Sequence, residues 1–126
     1  MSSVNKAMII GNVGNINKAE FNQGQTQRRY MNITVATNQN IPIREPNTGN
    51  ILRYEQKTVW HKVSAFDGMI DTIEKWGIKT GSLVRIEGRM EKNENRVTQE
   101  GVVHVYHDTT IIAEHVLNLS PKDTAN

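Results

Sequence analysis

The sequence predicts a mainly β, all-β-class fold: a small, partly open barrel of five bent strands with one short helix between the third and fourth. Three observations predict it. Apolar residues alternate with polar ones in several separate stretches, which is strand spacing. Clusters of Gly and Asn punctuate those stretches. One segment alone, residues 69–77, sets apolar residues at 69, 70, 73 and 76, which is one face of a helix. At 126 residues the chain is expected to be one domain with a single core. The absence of Cys excludes disulfides, thiolate metal sites and a Cys nucleophile. Residues 1–6 do not resemble a signal peptide, and no apolar run approaches the roughly eighteen residues that span a bilayer. A protein of the cytoplasm, with no membrane partner, is therefore expected.

The first strand begins near residue 4 and meets Gly11-Asn12-Val13-Gly14-Asn15, a cluster suited to a turn or bulge. A second turn cluster, Asn22-Gln23-Gly24-Gln25, leads into a clean alternation with Met31, Ile33 and Val35 inward and Tyr30, Asn32 and Thr34 outward. Residues 40–53 hold two of the three prolines and no sustained period, so a long loop is expected there. The third strand runs over residues 54–66. After it Asp67 is placed to cap the helix and Gly77 to stop it, with Trp76 packed in the core. Residues 82–90 alternate again, with Gly88 positioned to let a bent strand kink. A polar hairpin follows over 91–101. The last strand, 102 to roughly 119, is expected to break near His107-Asp108. Residues 1–119 then form the domain and 120–126 a short flexible tail.

The third strand carries the unusual pattern. Its period of two places Glu55, Lys57, Val59, His61, Val63 and Ala65 on one face, which ends as a core face. The other face holds Tyr54, Gln56, Thr58, Trp60, Lys62, Ser64 and Phe66. Large aromatics standing beside a cation on a wet face are what stacking of nucleic-acid bases over a tracked phosphate requires. The alternative is that Trp60 and Phe66 cover a neighbouring element or subunit, and parity alone does not choose. Charge leans toward the first: through Ala65 there are eight Lys and Arg against three Glu, while the remainder is net acidic.

Three strands, a helix and two strands in this order describe the OB-fold, a five-stranded Greek-key barrel that binds oligonucleotides or oligosaccharides. The segments Val4-Asn5-Lys6, Ile9-Ile10-Gly11-Asn12-Val13-Gly14, Asn32-Ile33-Thr34-Val35-Ala36-Thr37, Trp60-His61-Lys62-Val63 with Phe66, and Lys79-Thr80-Gly81-Ser82-Leu83-Val84-Arg85-Ile86-Glu87-Gly88 resemble the bacterial single-stranded DNA-binding protein family, in register over the whole expected barrel. The resemblance implies an OB-fold homotetramer, with a dimer the other possibility. It also implies that single-stranded DNA is coated without sequence preference during replication, recombination and repair. It gives Trp60 and Phe66, with Tyr54 on the same face, the role of stacking platforms. Lys6 and Lys62 become phosphate contacts, joined by Arg28, Arg29 and Arg89, and His61 falls at a subunit contact.

Two departures from the family pattern stand out. Ile41 occupies a position where another stacking aromatic is usual, and Glu91-Lys92-Asn93-Glu94-Asn95 replaces a hairpin segment that often carries basic residues and a tryptophan. Modest affinity with a steep salt dependence is the expectation that follows. The family's flexible linker and acidic tip have no counterpart before Asn126, so recruitment of replication proteins by such a tip is not expected. A phage or plasmid origin fits that ending, as does a removed tail. A primosome-type adaptor that binds single-stranded DNA weakly and assembles other proteins is the rival reading. An enzyme is not expected, because His104, His107 and Asp108 lack a third ligand and the two His point to opposite faces of a strand. No cofactor or metal is implied.

Overall fold

The structure, a computed structural model, describes residues 3–120. Five strands and one helix follow in the order β1 (Ala7–Gln23), β2 (Thr26–Arg44), β3 (Ile51–Phe66), α1 (Gly68–Lys75), β4 (Leu83–Gln99) and β5 (Val102–Asn118). The strands close into a barrel in the order β1-β2-β3-β5-β4. All neighbours pair antiparallel except β3 and β5, whose parallel ladder runs only from Lys62↔Thr110 to Ser64↔Ile112. The five-stranded barrel with one helix after β3 expected from sequence is present, and this short parallel ladder is the seam that closes it.

Alternation decides which side chains fill it. Met31, Ile33 and Val35 of β2 face Val63 and Ala65 of β3 and Val84 and Ile86 of β4, all buried. Helix α1 plugs one end with Ile70 and Ile73, each worth on the order of 1.5–3 kcal/mol of apolar burial. Its C-terminus is a Schellman motif: Ile78 N–H donates to the Ile73 carbonyl at 3.3 Å and Gly77 N–H to Glu74 at 3.0 Å. Gly77 sits at φ 68°, a conformation that suits Gly best. Two expectations at the helix fail. Asp67 holds the N-cap position, but its side chain makes no cap bond and turns to β2 instead. Trp76 is not core: it lies past the last helical turn and is 49% exposed, while Ile78 takes the buried place.

The expected turn or bulge after Gly11 is a bulge, between Val13 and Ile16 of an otherwise continuous β1. The loop expected over 40–53 does not exist as such. β2 and β3 stay paired out to Arg44↔Ile51 and form an arm closed by a tight turn in which Glu45 N–H donates to the Asn50 carbonyl at 2.8 Å. Beyond Ala36 no strand among the described residues is paired to the other edge of β2, and an edge strand tolerates Pro42. β4 likewise runs past Met90 to Gln99, and Glu100 and Gly101 make a two-residue turn with positive φ at both, so the polar hairpin is a second arm. β5 is unbroken at His107-Asp108; its irregularity falls opposite Glu87/Gly88. A Cβ at Gly88 would collide with the Ile112 carbonyl, which is why the kink sits there. Because β3 and β5 run parallel, both arms leave the same end of the barrel. Of the expected tail, residues 121–126 lie outside the described residues.

Candidate nucleic-acid interface

The outward face of β1, β2 and β3 is a grid set by register. Across β3 to β2 the rows are Trp60↔Ala36, Lys62↔Thr34, Ser64↔Asn32 and Phe66↔Tyr30. The Trp60 ring, 59% exposed, lies over the β1 bulge. A side chain on Gly14 would run into that ring, so the absence of one makes the seat. Thr34 fixes the bulge by accepting the Asn15 backbone N–H at 2.9 Å. At the other end of the face Phe66 stands beside Tyr30, whose ring is 5.8 Å from Phe21. Six residues of strand separate Trp60 from Phe66, about 20 Å.

Between the two aromatic ends lies a polar groove floored by Asn17, Asn32, Thr34, Lys62 and Ser64, which continues over the seam to Asn93, Asn95, Asp108 and Thr110. Ser64 donates to Asn32 at 2.8 Å and Asn93 to Thr110 at 3.0 Å. The Lys62 ammonium donates to Asp108 Oδ2 at 3.0 Å, and the Asn95 amide donates to the same oxygen at 3.1 Å. The groove therefore offers hydrogen-bonding edges between stacking surfaces, with one cation held at its centre by a carboxylate.

The sequence-selected residues divide by what they touch. Trp60, Lys62 and Phe66 share one exposed row; Tyr54 is on the same face, six residues out on the β2–β3 arm and opposite Pro42. Arg89 extends the row of Ser64 through Ile112, with Glu91 at 3.4 Å, and Lys6 precedes β1 with Glu87 at 4.0 Å. Arg28 and Arg29 are committed elsewhere. Arg28 pairs with Asp67 at 2.6 Å, and Arg29 grips both oxygens of Asp71 at 2.9 and 3.0 Å, so together they tie α1 to β2. The Arg29 backbone N–H, ahead of the Arg28 side chain, holds the Asp67 carboxyl below its ordinary range. The Arg29 guanidinium lowers Asp71 and is itself raised by that partner. His61 is on the inner face opposite Val35, half-buried, with Nε2 2.9 Å from Thr37 Oγ1.

Sequence reasoning missed two parts of this surface. Gly14 carries no mark of its role, because only the register of β1 on β2 puts it under Trp60. Tyr106 was readable in principle from its parity with Asp108, but only the pairing Asn95↔Tyr106 shows the face it joins. Among the described residues no group of three or more His, Asp or Glu could hold a metal ion, and no helix is long and apolar enough to cross a membrane.

Comparison with known proteins adds the following. A family model described as "Single-strand binding protein family" matches residues 4–119. The chain is 30% identical over 126 residues to Single-stranded DNA-binding protein 1 of Xylella fastidiosa, covering 100% of this chain and 85% of that one. It is 34% identical over 90 residues to the Single-stranded DNA-binding protein of Rhizobium meliloti, covering 71% of this chain and 47% of the other. Among solved structures, the Plasmodium falciparum SSB in complex with ssDNA has the same fold, with a TM-score of 0.72 at 23% identity over 95% of this chain and 98% of that chain.

Proposed function

This chain belongs to the single-strand binding protein family, and from that premise we propose that it binds single-stranded DNA, protecting it during replication, recombination and repair. The observation that carries the reading is the single exposed row Trp60, Lys62, Phe66 beside a polar groove. Bases stack on the two aromatics and a phosphate takes the Lys62 ammonium, a mode that tolerates any sequence because every base has a π face. Lys6 and Arg89 extend the phosphate track around the barrel, and Tyr54 receives a base on the arm. Arg28 and Arg29 serve the track less, since a phosphate would have to draw them from Asp67 and Asp71. The chain acts by binding and catalyses no reaction. The adaptor reading is not favoured, because the matching family and the relatives are single-stranded DNA-binding proteins.

A homo-oligomer, tetramer or dimer, completes the proposal. It is supported by exposed apolar side chains, Met8 and Ile10 on β1 and Leu117 on β5, which flank the Arg85–Glu87 ion pair of β4 on a different part of the barrel from the groove. His61 would assist assembly from the inner face. Such a protein works in the cytoplasm, where single-stranded DNA is exposed.

The test is titration with oligo-dT at several salt concentrations. Each phosphate neutralised on a single strand contributes about −0.7 to the slope of log K against log salt. Lys62→Ala should weaken binding and flatten that slope by about the same 0.7. Binding that is indifferent to salt, or a slope unchanged in Lys62→Ala, would contradict the assignment.

A further inference from the structure

We propose that Asp67-Gly68 is a modification site: its backbone is set for the Asp67 side chain to close on the Gly68 nitrogen and leave isoaspartate, and Arg28 is the residue that holds the closure back. The inference concerns the junction of β3 and α1 and stands independently of what the barrel binds.

The backbone supplies the reactive half. Asp67 has φ 48° and ψ −114°, left-handed in φ and outside the regions that residues with a Cβ ordinarily occupy. Tetrahedral geometry at Cα makes this ψ eclipse the Gly68 nitrogen with the Asp67 Cβ. Nitrogen, carbonyl carbon, Cα and Cβ then lie close to one plane, as they must in a five-membered succinimide. The conformation is locked on both sides. Asp67 N–H donates to the Arg29 carbonyl at 3.1 Å, and the Asp67 carbonyl accepts the Ile70 N–H at 3.0 Å and Arg29 Nη2 at 3.2 Å. The nucleophile is open as well. Gly68 begins α1, where a backbone N–H has no acceptor within the helix. It is exposed, and a Cβ added to it would meet nothing within 4 Å among the described residues.

The side chain supplies the restraint. Arg28 Nε donates to Oδ2 at 2.7 Å and Nη2 lies 2.6 Å from the same oxygen, while Oδ1 accepts the Arg29 backbone N–H at 3.2 Å. With the Arg29 N–H foremost and Arg28 behind it, these contacts also keep the carboxyl ionised, and a carboxylate resists attack by an amide nitrogen. To react, the group must leave Arg28 and take up a proton. The Gly68 nitrogen then bonds to Cγ and gives up its own proton, and one carboxyl oxygen leaves as water. A second water reopens the ring. Where it breaks the bond between that nitrogen and the Asp67 main-chain carbonyl carbon, the chain continues through the side chain as isoaspartate. The extra backbone carbon moves the freed carboxylate from its place at Arg28, and α1 loses that tie to β2.

The experiment holds the native chain and its variants in warm neutral buffer. Isoaspartate is followed by enzymatic methylation of its carboxyl and by mapping of the peptide that spans Asp67, which changes retention at unchanged mass. Arg28→Ala should accumulate isoaspartate at Asp67 about 3- to 10-fold faster than the native chain, the factor for freeing a carboxylate from one hydrogen-bonded partner. It should also react faster folded than unfolded in urea, because only the folded backbone is pre-set. Arg28→Lys keeps a cation without the two-nitrogen grip and should move the rate the same way, which preserves the test should Arg28→Ala fail to fold. Gly68→Ala, whose methyl enters open space, should suppress the reaction by crowding the nitrogen. A rate unchanged in both Arg28 variants overturns the proposal, as does a folded Arg28 variant slower than its own unfolded form, or isoaspartate formed equally fast in Gly68→Ala.

Discussion

At the scale of single residues the interface depends on one absence as much as on its aromatics. Trp60 can lie flat against the sheet because Gly14, on the bulge of β1, has no side chain beneath it. Gly14→Ala should push the ring off its seat and lower affinity for single-stranded DNA, by no more than the roughly 1–3 kcal/mol that a lost base stack costs. A lower thermal midpoint should accompany the loss, since the same Cβ would crowd Thr34 Oγ1 at 2.8 Å, the group that holds the bulge. Oligo-dT affinity and a thermal melt of the same sample check both halves; full affinity in Gly14→Ala would show that the seat does not matter. The parity of residues 54–66 made Trp60 and Phe66 legible in the sequence, because a period of two is a local property. Gly14 was not legible, because its role arises only where a distant strand crosses it.

Among the elements, α1 and the two arms teach different lessons. The helix was readable from apolar spacing and Gly77, yet its attachment was not: Asp67 was expected to cap, and instead accepts the Arg29 backbone N–H at 3.2 Å and pairs with Arg28. Arg28 and Arg29, expected on DNA, are drawn to the helix because two carboxylates stand at its first turn. Asp67 and Asp71 are both held below their ordinary value of 3.8. A carboxyl with a depressed folded-state pKa contributes stability that is fully present above its unfolded value and lost as pH falls through the folded one. Urea denaturation should therefore show the midpoint dropping as pH falls from about 5 toward 2.5, and dropping less in Asp71→Asn. Equal acid sensitivity in the native chain and in Asp71→Asn would contradict the tie. The β2–β3 arm was misread as a loop because its prolines and Asn47-Thr48-Gly49-Asn50 mask β alternation; hydrogen bonding across the ladder overrides those local preferences. The hairpin read over 91–101 is present as the β4–β5 arm.

For the whole molecule, closure of the barrel by the parallel β3–β5 seam is what makes a binding surface from separate pieces. It brings the β3 row beside Asp108 and Tyr106, and it sends both arms from one end. Strand order and the helix position were legible, which is enough to name an OB-fold; the seam was not, since a ladder of three residue pairs leaves no periodic trace. The charges on this surface are largely answered by the chain's own carboxylates, as Lys62 is by Asp108 and Arg89 by Glu91. On the proposed reading phosphates compete with those partners, so the account expects modest affinity with the weight of binding on stacking. That weight is the central claim. Its most direct test is Trp60→Ala, with oligo-dT affinity and sedimentation measured on the same preparation. The expected result is affinity lower by about 5- to 150-fold with the assembly unchanged. Retained affinity per site, with or without a smaller assembly, would mean that Trp60 packs against protein and that DNA is held elsewhere.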